Sequence, residues 1–212
     1  MLNFLRKRIH RQYYDHIHIE DGSIHQPKWQ GVPVCKYPQD LILYSEVLFE
    51  RRPDYLIETG TFCGGSALFF AAVMSLYGGK GIVTIDAVRS SIFDKPGYPQ
   101  HGLITFCIGN SIDPQFAVDM KRHVGDGSVM VVLDSRHDYH HVSCELALLA
   151  DLVTPGQFLV VEDCWHRGEK SDPYYAVEDF LKTHLDFARM SIADKYIFSN
   201  TQDGWLLKGG KP

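Results

Sequence analysis

Acidic residues follow four short apolar runs of the chain, each at the point where the run ends. They are Glu58, Asp86, Asp134 and the pair Glu162 and Asp163. In an open α/β sheet, ligands bind outside the carboxyl ends of the strands. Any one of these acids could cap the next helix, but a buried unpaired carboxylate is unfavourable by several kcal/mol. Acids at four strand ends therefore predict a binding edge that holds a ligand.

The loop at residues 58–66, ETGTFCGGS, follows the first run and opens a helix. Its glycines, Gly60 among them, allow the backbone at a helix N-terminus to approach a nucleotide cofactor. Asp86 ends the next run, where a carboxylate can accept both hydroxyls of a ribose. Ser111 lies where the adenine edge is expected, although a plain turn explains it nearly as well. The glycine spacing differs from GxGxxG, which disfavours NAD.

The second group of acids is Asp134, Glu162 and Asp163, which end neighbouring strands. Three hard oxygen ligands suit Mg²⁺ or Ca²⁺, and no histidine or cysteine pair joins them to favour zinc. His137 follows Asp134 by three residues, and a near-neutral imidazole can take a proton from a metal-bound hydroxyl. The alternative for His137 is membership of a surface group of three histidines in the same stretch.

The N-terminal segment carries a separate hypothesis. His16, His18 and Glu20 alternate along the chain, as two histidines and a carboxylate that bind non-haem iron could do. This alternative predicts a hydroxylase that contains iron and consumes oxygen.

The composition restricts the class of protein. The 212 residues, 45% of them hydrophobic, suffice for one domain with a substantial core. With 21 basic and 26 acidic residues the net charge is −5, so a small molecule is the expected partner rather than nucleic acid or a membrane. Five dispersed cysteines without a CxxC pair, and an N-terminus without a signal-peptide core, predict a cytoplasmic protein.

Short apolar runs alternate with helical periodicity from about residue 54 onward. Runs such as VMVVLD are apolar at consecutive positions, which is typical of strands buried on both faces of a parallel sheet. The alternation predicts an α/β sandwich. The predicted parallel strands are 55–58, 82–86, 103–108, 129–134 and 158–162.

The ends of this pattern differ. Runs 187–191 and 205–208 leave no room for a crossover helix, so they should pair antiparallel. We expect helices at 141–153 and 172–184, the second with Asp172 as N-cap and Pro173 at its first position. Upstream, Asp40 is expected to cap a helix that ends at Arg51 and Arg52.

The motifs resemble those of known enzymes. The loop at 58–66, the acid at 86, the GxS at 109–111 and the acids at 134, 162 and 163 resemble the catechol O-methyltransferase pattern of class I S-adenosylmethionine (SAM) methyltransferases. Roughly residues 29–208 resemble the cephalosporin hydroxylase and rhamnosyl O-methyltransferase family. That likeness rests on Trp29-Gln30-Gly31, Pro38-Gln39-Asp40-Leu41, IETGTFCGGSAL, LDSRH, VVEDC and Gly204-Trp205-Leu206.

The resemblance implies a Rossmann-like class I methyltransferase sandwich at residues 38–212. Its sheet would have seven strands, mostly parallel, with an antiparallel C-terminal edge strand. Separately from the resemblance, Tyr13, Tyr14 and Trp29 could make residues 1–37 a lid over the substrate. SAM would be held by the acids Glu58 and Asp86, with Gly60 and Ser66 along its methionine portion and Ser111 on its adenine side.

The resemblance also implies Mg²⁺, or another hard divalent cation, at Asp134, Glu162 and Asp163, with His137 as the base. His137 departs from the lysine of catechol methyltransferases, and Glu162 from their aspartate. We therefore expect a metal-dependent O-methyltransferase that acts on a hydroxyl of a sugar, phenol or natural product, and that forms a homo-oligomer. The alternatives are a non-catalytic SAM-binding partner of another biosynthetic enzyme and an NAD-dependent oxidoreductase.

Overall fold

A computed structural model describes residues 2–16, 27–165, 170 and 172–209 of the chain. These residues contain six α-helices and nine β-strands, which we number in chain order. The helices are α1 (Leu2–Asp15), α2 (Pro38–Arg51), α3 (Gly65–Ser75), α4 (Pro114–Val124), α5 (Tyr139–Leu149) and α6 (Pro173–Thr183). The strands are β1 (Lys28–Trp29), β2 (Val32–Pro33), β3 (Tyr55–Thr59), β4 (Gly81–Asp86), β5 (Ile104–Ile108), β6 (Val129–Leu133), β7 (Phe158–Val161), β8 (Phe187–Arg189) and β9 (Trp205–Lys208).

The sheet has seven strands in the order β5-β4-β3-β6-β7-β9-β8. Strands β3 to β7 run parallel, and β9 lies antiparallel between β7 and β8. The predicted α/β sandwich with an antiparallel C-terminal end is confirmed, with β8 as the outermost strand. The strand order reverses where β3 lies between β4 and β6, so this is the switch point at which ligands bind in open α/β sheets.

Apolar side chains of the central strands pack on both faces of the sheet. Along β6, Met130 and Val132 belong to one core cluster, and Val131 and Leu133 belong to the other. The first cluster includes residues of α2 and α3, and the second includes residues of α4, α5 and α6. This double burial explains why the central strands are apolar at consecutive positions.

Every predicted strand of this sheet is present, with boundaries within two residues. The prediction that Asp40 caps α2 is wrong, because the helix begins at Pro38 with Tyr37 at its N-cap. Asp40 is fully buried in the first turn, where its Oδ2 accepts a hydrogen bond from the Asn200 backbone N at 2.9 Å. Asp172 occupies the N-cap of α6 as predicted, without a side-chain capping bond.

Helix α5 begins two residues before the predicted start. Asp138 is its N-cap, and Asp138 Oδ1 accepts a hydrogen bond from His141 N at 3.0 Å. None of the helices in the described ranges combines the length and the apolar character that crossing a bilayer requires.

Candidate active site

A cavity of about 770 Å³ opens at the carboxyl edge of the sheet. Loops that follow β3, β4, β5, β6 and β7 line it, together with α1 and the segment after β2. Of the nine predicted site residues, seven line this cavity, namely Gly60, Ser66, Asp86, Ser111, Asp134, His137 and Asp163. The other two, Glu58 and Glu162, are buried at the same edge of the sheet.

Gly60 couples the loop after β3 to the end of β6. Its φ is +86°, and a Cβ built at this position would lie 1.9 Å from the carbonyl oxygen of Asp134. Gly60 N also donates to Ile85 O at 2.8 Å, and Asp134 N donates to Thr59 O at 3.1 Å. The ends of three strands are therefore packed so closely that only glycine fits between them.

Helix α3 begins directly after this loop with an N-cap that lacks a side chain. Gly64 is the N-cap, with φ +77°, so no side chain there accepts hydrogen bonds from the first turn. A Cβ at Gly65 would lie 2.1 Å from Pro33 O, which places β2 against the helix N-terminus. Ser66 lines the cavity in the first turn of α3. The backbone N–H groups of the first turn are thus available to a ligand, as they are at helix N-termini that bind nucleotides.

Asp86 lies at the end of β4, on the wall of the cavity. Its Oδ2 accepts a hydrogen bond from Phe62 N at 2.8 Å, and its Oδ1 accepts one from Val88 N at 3.2 Å. These two bonds fix the carboxylate between the loops after β3 and β4. Each carboxylate oxygen can accept further hydrogen bonds, as binding of a ribose diol requires.

Glu58 is fully buried at the end of β3 and does not line the cavity. Thr84 Oγ1 donates to Glu58 Oε2 at 2.7 Å, and the hydroxyls of Thr61 and Thr84 lie 2.8 Å apart. Burial raises the pKa of Glu58 to about 7. Since Thr61 lines the cavity, a chain of two hydroxyls connects this carboxyl to the cavity wall.

A polar network that the sequence did not predict surrounds Ser111. Ser111 Oγ lies 3.1 Å from His141 Nε2, and His141 Nε2 lies 3.5 Å from Glu145 Oε1. Ser135 Oγ donates to the same Glu145 oxygen at 2.7 Å. Ser111, Ser135 and His141 all line the cavity, so this wall offers hydroxyl and imidazole groups.

Asp134, His137 and Asp163 form the group best arranged to hold a metal. One ligand atom from each of the three lies within 4.8 Å of the others. His137 Nε2 is 3.2 Å from Asp134 Oδ1, and His137 Nδ1 is 2.9 Å from Asp163 Oδ2. Asp163 has a φ of +58°, a left-handed conformation that aspartate tolerates better than most residues.

The charges in this group favour a cation. Partial burial acts to lower the pKa of His137, but the Asp163 and Asp134 carboxylates raise it well above its usual value. Two carboxylates and an imidazole are also donors that bind divalent metals in proteins. The residues present therefore fit a divalent cation.

Glu162 does not belong to this group of three and is bound by two donors. Its side chain is buried, and its Oε1 accepts hydrogen bonds from Lys36 Nζ at 2.7 Å and Tyr44 OH at 2.6 Å. Lys36 Nζ also donates to Asp134 Oδ2 at 2.7 Å. Burial raises the pKa of Glu162 to about 8, with the Lys36 ammonium acting in the opposite direction.

Lys36 is a site residue that the sequence analysis missed. It is 2% exposed, and the carboxylates of Asp134 and Glu162 raise its pKa well above the usual value, although burial acts in the opposite direction. The available signal was a single lysine within GVPVCKYP, an otherwise uncharged stretch.

Aromatic side chains of α1 approach one end of the cavity. Tyr14 lines the cavity, and its ring centroid is 4.9 Å from that of Trp165. Tyr13 stacks on Phe198 at 4.2 Å. His16 is exposed after α1, whereas His18 and Glu20 of the iron-site hypothesis lie outside the described residues.

Comparisons with known proteins agree with this fold. A family model described as rhamnosyl O-methyltransferase/CmcI matches residues 22–209. The rhamnosyl O-methyltransferase of Mycobacterium leprae (strain TN) is 30% identical over 191 residues, which cover 85% of this chain and 82% of that protein. The rhamnosyl O-methyltransferase of Mycobacterium tuberculosis (strain ATCC 25618 / H37Rv) is 32% identical over 161 residues, covering 72% of this chain and 65% of that protein.

Two solved structures share the fold at lower identity. The structure named cmcI-D160 Mg-SAM has a TM-score of 0.64 at 19% identity and covers 87% of this chain and 77% of that chain. The methyltransferase MycE in complex with Mg, SAH and mycinamycin VI has a TM-score of 0.55 at 18% identity, covering 79% of this chain and 48% of that one.

Proposed function

The chain belongs to the rhamnosyl O-methyltransferase/CmcI family, and from that membership we propose that it is a SAM-dependent O-methyltransferase assisted by a divalent metal. Its acceptor would be a hydroxyl of a small molecule, either a sugar or another natural product. The observation that carries the proposal is a single cavity lined both by the glycine loop with Asp86 and by the group Asp134, His137 and Asp163.

SAM would bind along the loops after β3, β4 and β5. Gly60 and Ser66 would lie along the methionine portion, because they form the loop and first turn at the start of α3. Asp86 would accept the ribose hydroxyls and Ser111 would face the adenine. Glu58, which lies behind this wall, would act through the hydroxyls of Thr84 and Thr61 rather than by direct contact.

The metal would bind at Asp134 and Asp163, next to His137, with Glu162 behind Asp134. Mg²⁺ is the expected ion, because oxygen donors predominate here and because the solved relatives cmcI-D160 and MycE hold Mg. A bound divalent cation would lower the pKa of an acceptor hydroxyl and orient it.

The side chains of this chain would do the remaining work. Methyl transfer is an in-line displacement, so its rate depends mainly on how well donor and acceptor are positioned. Asp134 and Asp163 raise the pKa of His137, and a divalent cation bound to these carboxylates would oppose that effect, so that a neutral His137 could receive the acceptor proton on an imidazole nitrogen. The two carboxylates would stabilise the resulting imidazolium.

The acceptor would enter beside α1. Tyr14 lines this end of the cavity and packs against Trp165, and aromatic faces suit the apolar face of a deoxysugar. The curated relatives are rhamnosyl O-methyltransferases, which makes a rhamnose-like ring the first acceptor to try. On this proposal α1 forms part of the lid predicted from the sequence.

Transfer of a labelled methyl group tests the proposal. Purified protein is incubated with labelled SAM, Mg²⁺ and a panel of rhamnosides, other glycosides and phenols. Asp134→Asn should abolish transfer while SAM binding persists, and Asp94→Asn, at an exposed carboxylate outside the cavity, serves as the matched control. SAM binding without transfer to any acceptor would favour the non-catalytic partner, and binding of NAD instead of SAM would favour the oxidoreductase.

A further inference from the structure

Lys36 places a buried ammonium between two acids of the active site. Its Nζ lies 2.7 Å from Asp134 Oδ2 and 2.7 Å from Glu162 Oε1. Tyr44 OH donates a second hydrogen bond to the same Glu162 oxygen at 2.6 Å. One oxygen of each carboxylate is therefore bonded to the lysine.

The position of this ammonium is fixed by the backbone on both sides of it. Lys36 N donates to Val34 O at 2.9 Å, and α2 begins two residues later at Pro38. The preceding strand β2 is held at the start of α3, because Gly65 leaves no space for a Cβ next to Pro33 O. The lysine is also 2% exposed, so it has little space in which to change its rotamer.

The bonded oxygens limit how Asp134 can bind a cation. Asp134 Oδ2 is occupied by Lys36, whereas Oδ1 faces His137 Nε2 at 3.2 Å. A bidentate carboxylate needs both oxygens at about 2.3–2.6 Å from Ca²⁺. A dication that also bound Oδ2 would lie roughly 4–5 Å from the Lys36 ammonium, and repulsion between the two positive charges disfavours that binding, so Asp134 offers mainly Oδ1.

We propose that Lys36 is a positioning residue that restricts Asp134 to one oxygen and thereby makes the site select Mg²⁺ over Ca²⁺. Mg²⁺ takes six ligands in near-ideal octahedral geometry and binds through one or two carboxylates and water. Ca²⁺ takes six to eight oxygens and gains from bidentate carboxylates. The inference rests on the divalent metal of the proposed function and adds the residue that determines which ion binds.

The test measures the dissociation constants of MgCl₂ and CaCl₂ by titration calorimetry, without SAM, for the wild type and for Lys36→Met. Both ions carry two charges, so loss of the ammonium changes both affinities alike through charge, and the ratio of the two constants reports coordination alone. We expect the preference for Mg²⁺ to fall about tenfold or more in Lys36→Met, since the freed Oδ2 allows Asp134 to bind Ca²⁺ bidentately.

Tyr44→Phe is the matched control, because it removes one hydrogen bond from Glu162 and leaves the bonds of Lys36 in place. The ratio of the Mg²⁺ and Ca²⁺ dissociation constants of Tyr44→Phe should stay within about twofold of the wild-type ratio, since loss of one neutral hydrogen bond affects the binding of both ions similarly. An unchanged ratio in folded Lys36→Met would overturn the inference, and so would an equal change in Tyr44→Phe.

Lys36→Met removes the ammonium next to Asp134 and the buried Glu162, so its fold is checked by circular dichroism. If it is unfolded, the double variant Lys36→Met/Glu162→Gln removes the ammonium together with one of its two partners. Asp134 Oδ2 is free in that variant, and the preference for Mg²⁺ must still fall. If the wild type binds neither ion, the metal dependence of the proposed function fails, whereas binding with an unchanged ratio overturns the role of Lys36 alone.

Discussion

Replacing Gly60 by alanine should disturb the cofactor loop and the metal site together. The new Cβ would lie 1.9 Å from Asp134 O and 2.9 Å from Ser135 Cα, so the end of β6 must move by roughly 1 Å. A left-handed φ costs a non-glycine residue about 1–2 kcal/mol, and forced overpacking costs about 1–3 kcal/mol more. We therefore expect a loss of about 2–5 kcal/mol in the free energy of unfolding.

Gly78→Ala is the matched control for this change. Gly78 has a φ of +83°, close to the +86° of Gly60, but a Cβ there would meet no heavy atom within 4 Å. The free energy of unfolding of Gly78→Ala should fall only by the cost of the left-handed φ, about 1–2 kcal/mol. Urea denaturation measures both free energies, and methyl transfer from labelled SAM measures activity. A displacement of about 1 Å at the reacting groups can lower turnover about 100-fold, which we expect for Gly60→Ala alone. Equal losses of stability and unaltered turnover in both variants would refute the close packing of Gly60 against Asp134.

Three further changes test separate parts of the site. Asp86→Asn removes a charged hydrogen-bond acceptor, so calorimetry should show SAM binding weakened about tenfold or more and Mg²⁺ affinity unchanged. An unaltered SAM affinity would exclude Asp86 from the ribose site. Glu58 has a pKa raised from 4.5 to about 7 in the folded protein, so it lowers stability progressively as pH rises through that interval, by up to about 3 kcal/mol. Glu58→Gln should therefore unfold at higher urea than the wild type at pH 8 and show a smaller loss of stability between pH 4.5 and 7, and parallel pH curves would contradict this. Tyr14→Ala should raise the KM for the acceptor several-fold and leave the KM for SAM unchanged, and the reverse pattern would exclude α1 from the acceptor site.

The sequence sufficed to predict the sheet because its signals are local. A strand such as β6, buried on both faces, is apolar at every position, and the acid that follows it marks the carboxyl edge. Gly60, Asp86 and Asp134 could be assigned to one edge from those patterns alone, and the structure places all three around one cavity.

The missed features depend on contacts between residues far apart in the chain. Lys36 pairs with Asp134 and Glu162, which are 98 and 126 residues away. Asp40 resembles a helix cap because it lies near a helix start, but its partner Asn200 is 160 residues away. No spacing rule connects such positions, since the fold itself brings them together. The same limit applies to Glu162, whose hydrogen-bond partners Lys36 and Tyr44 are 126 and 118 residues away.

Restoring metal to metal-free protein tests the central claim most directly. The protein is treated with excess chelator and dialysed, and methyl transfer from labelled SAM to a rhamnoside is measured before and after addition of Mg²⁺, together with calorimetric binding of SAM in both states. The account predicts that transfer stops without metal and returns with Mg²⁺, while SAM binds in both states. Full transfer by the metal-free protein would contradict it.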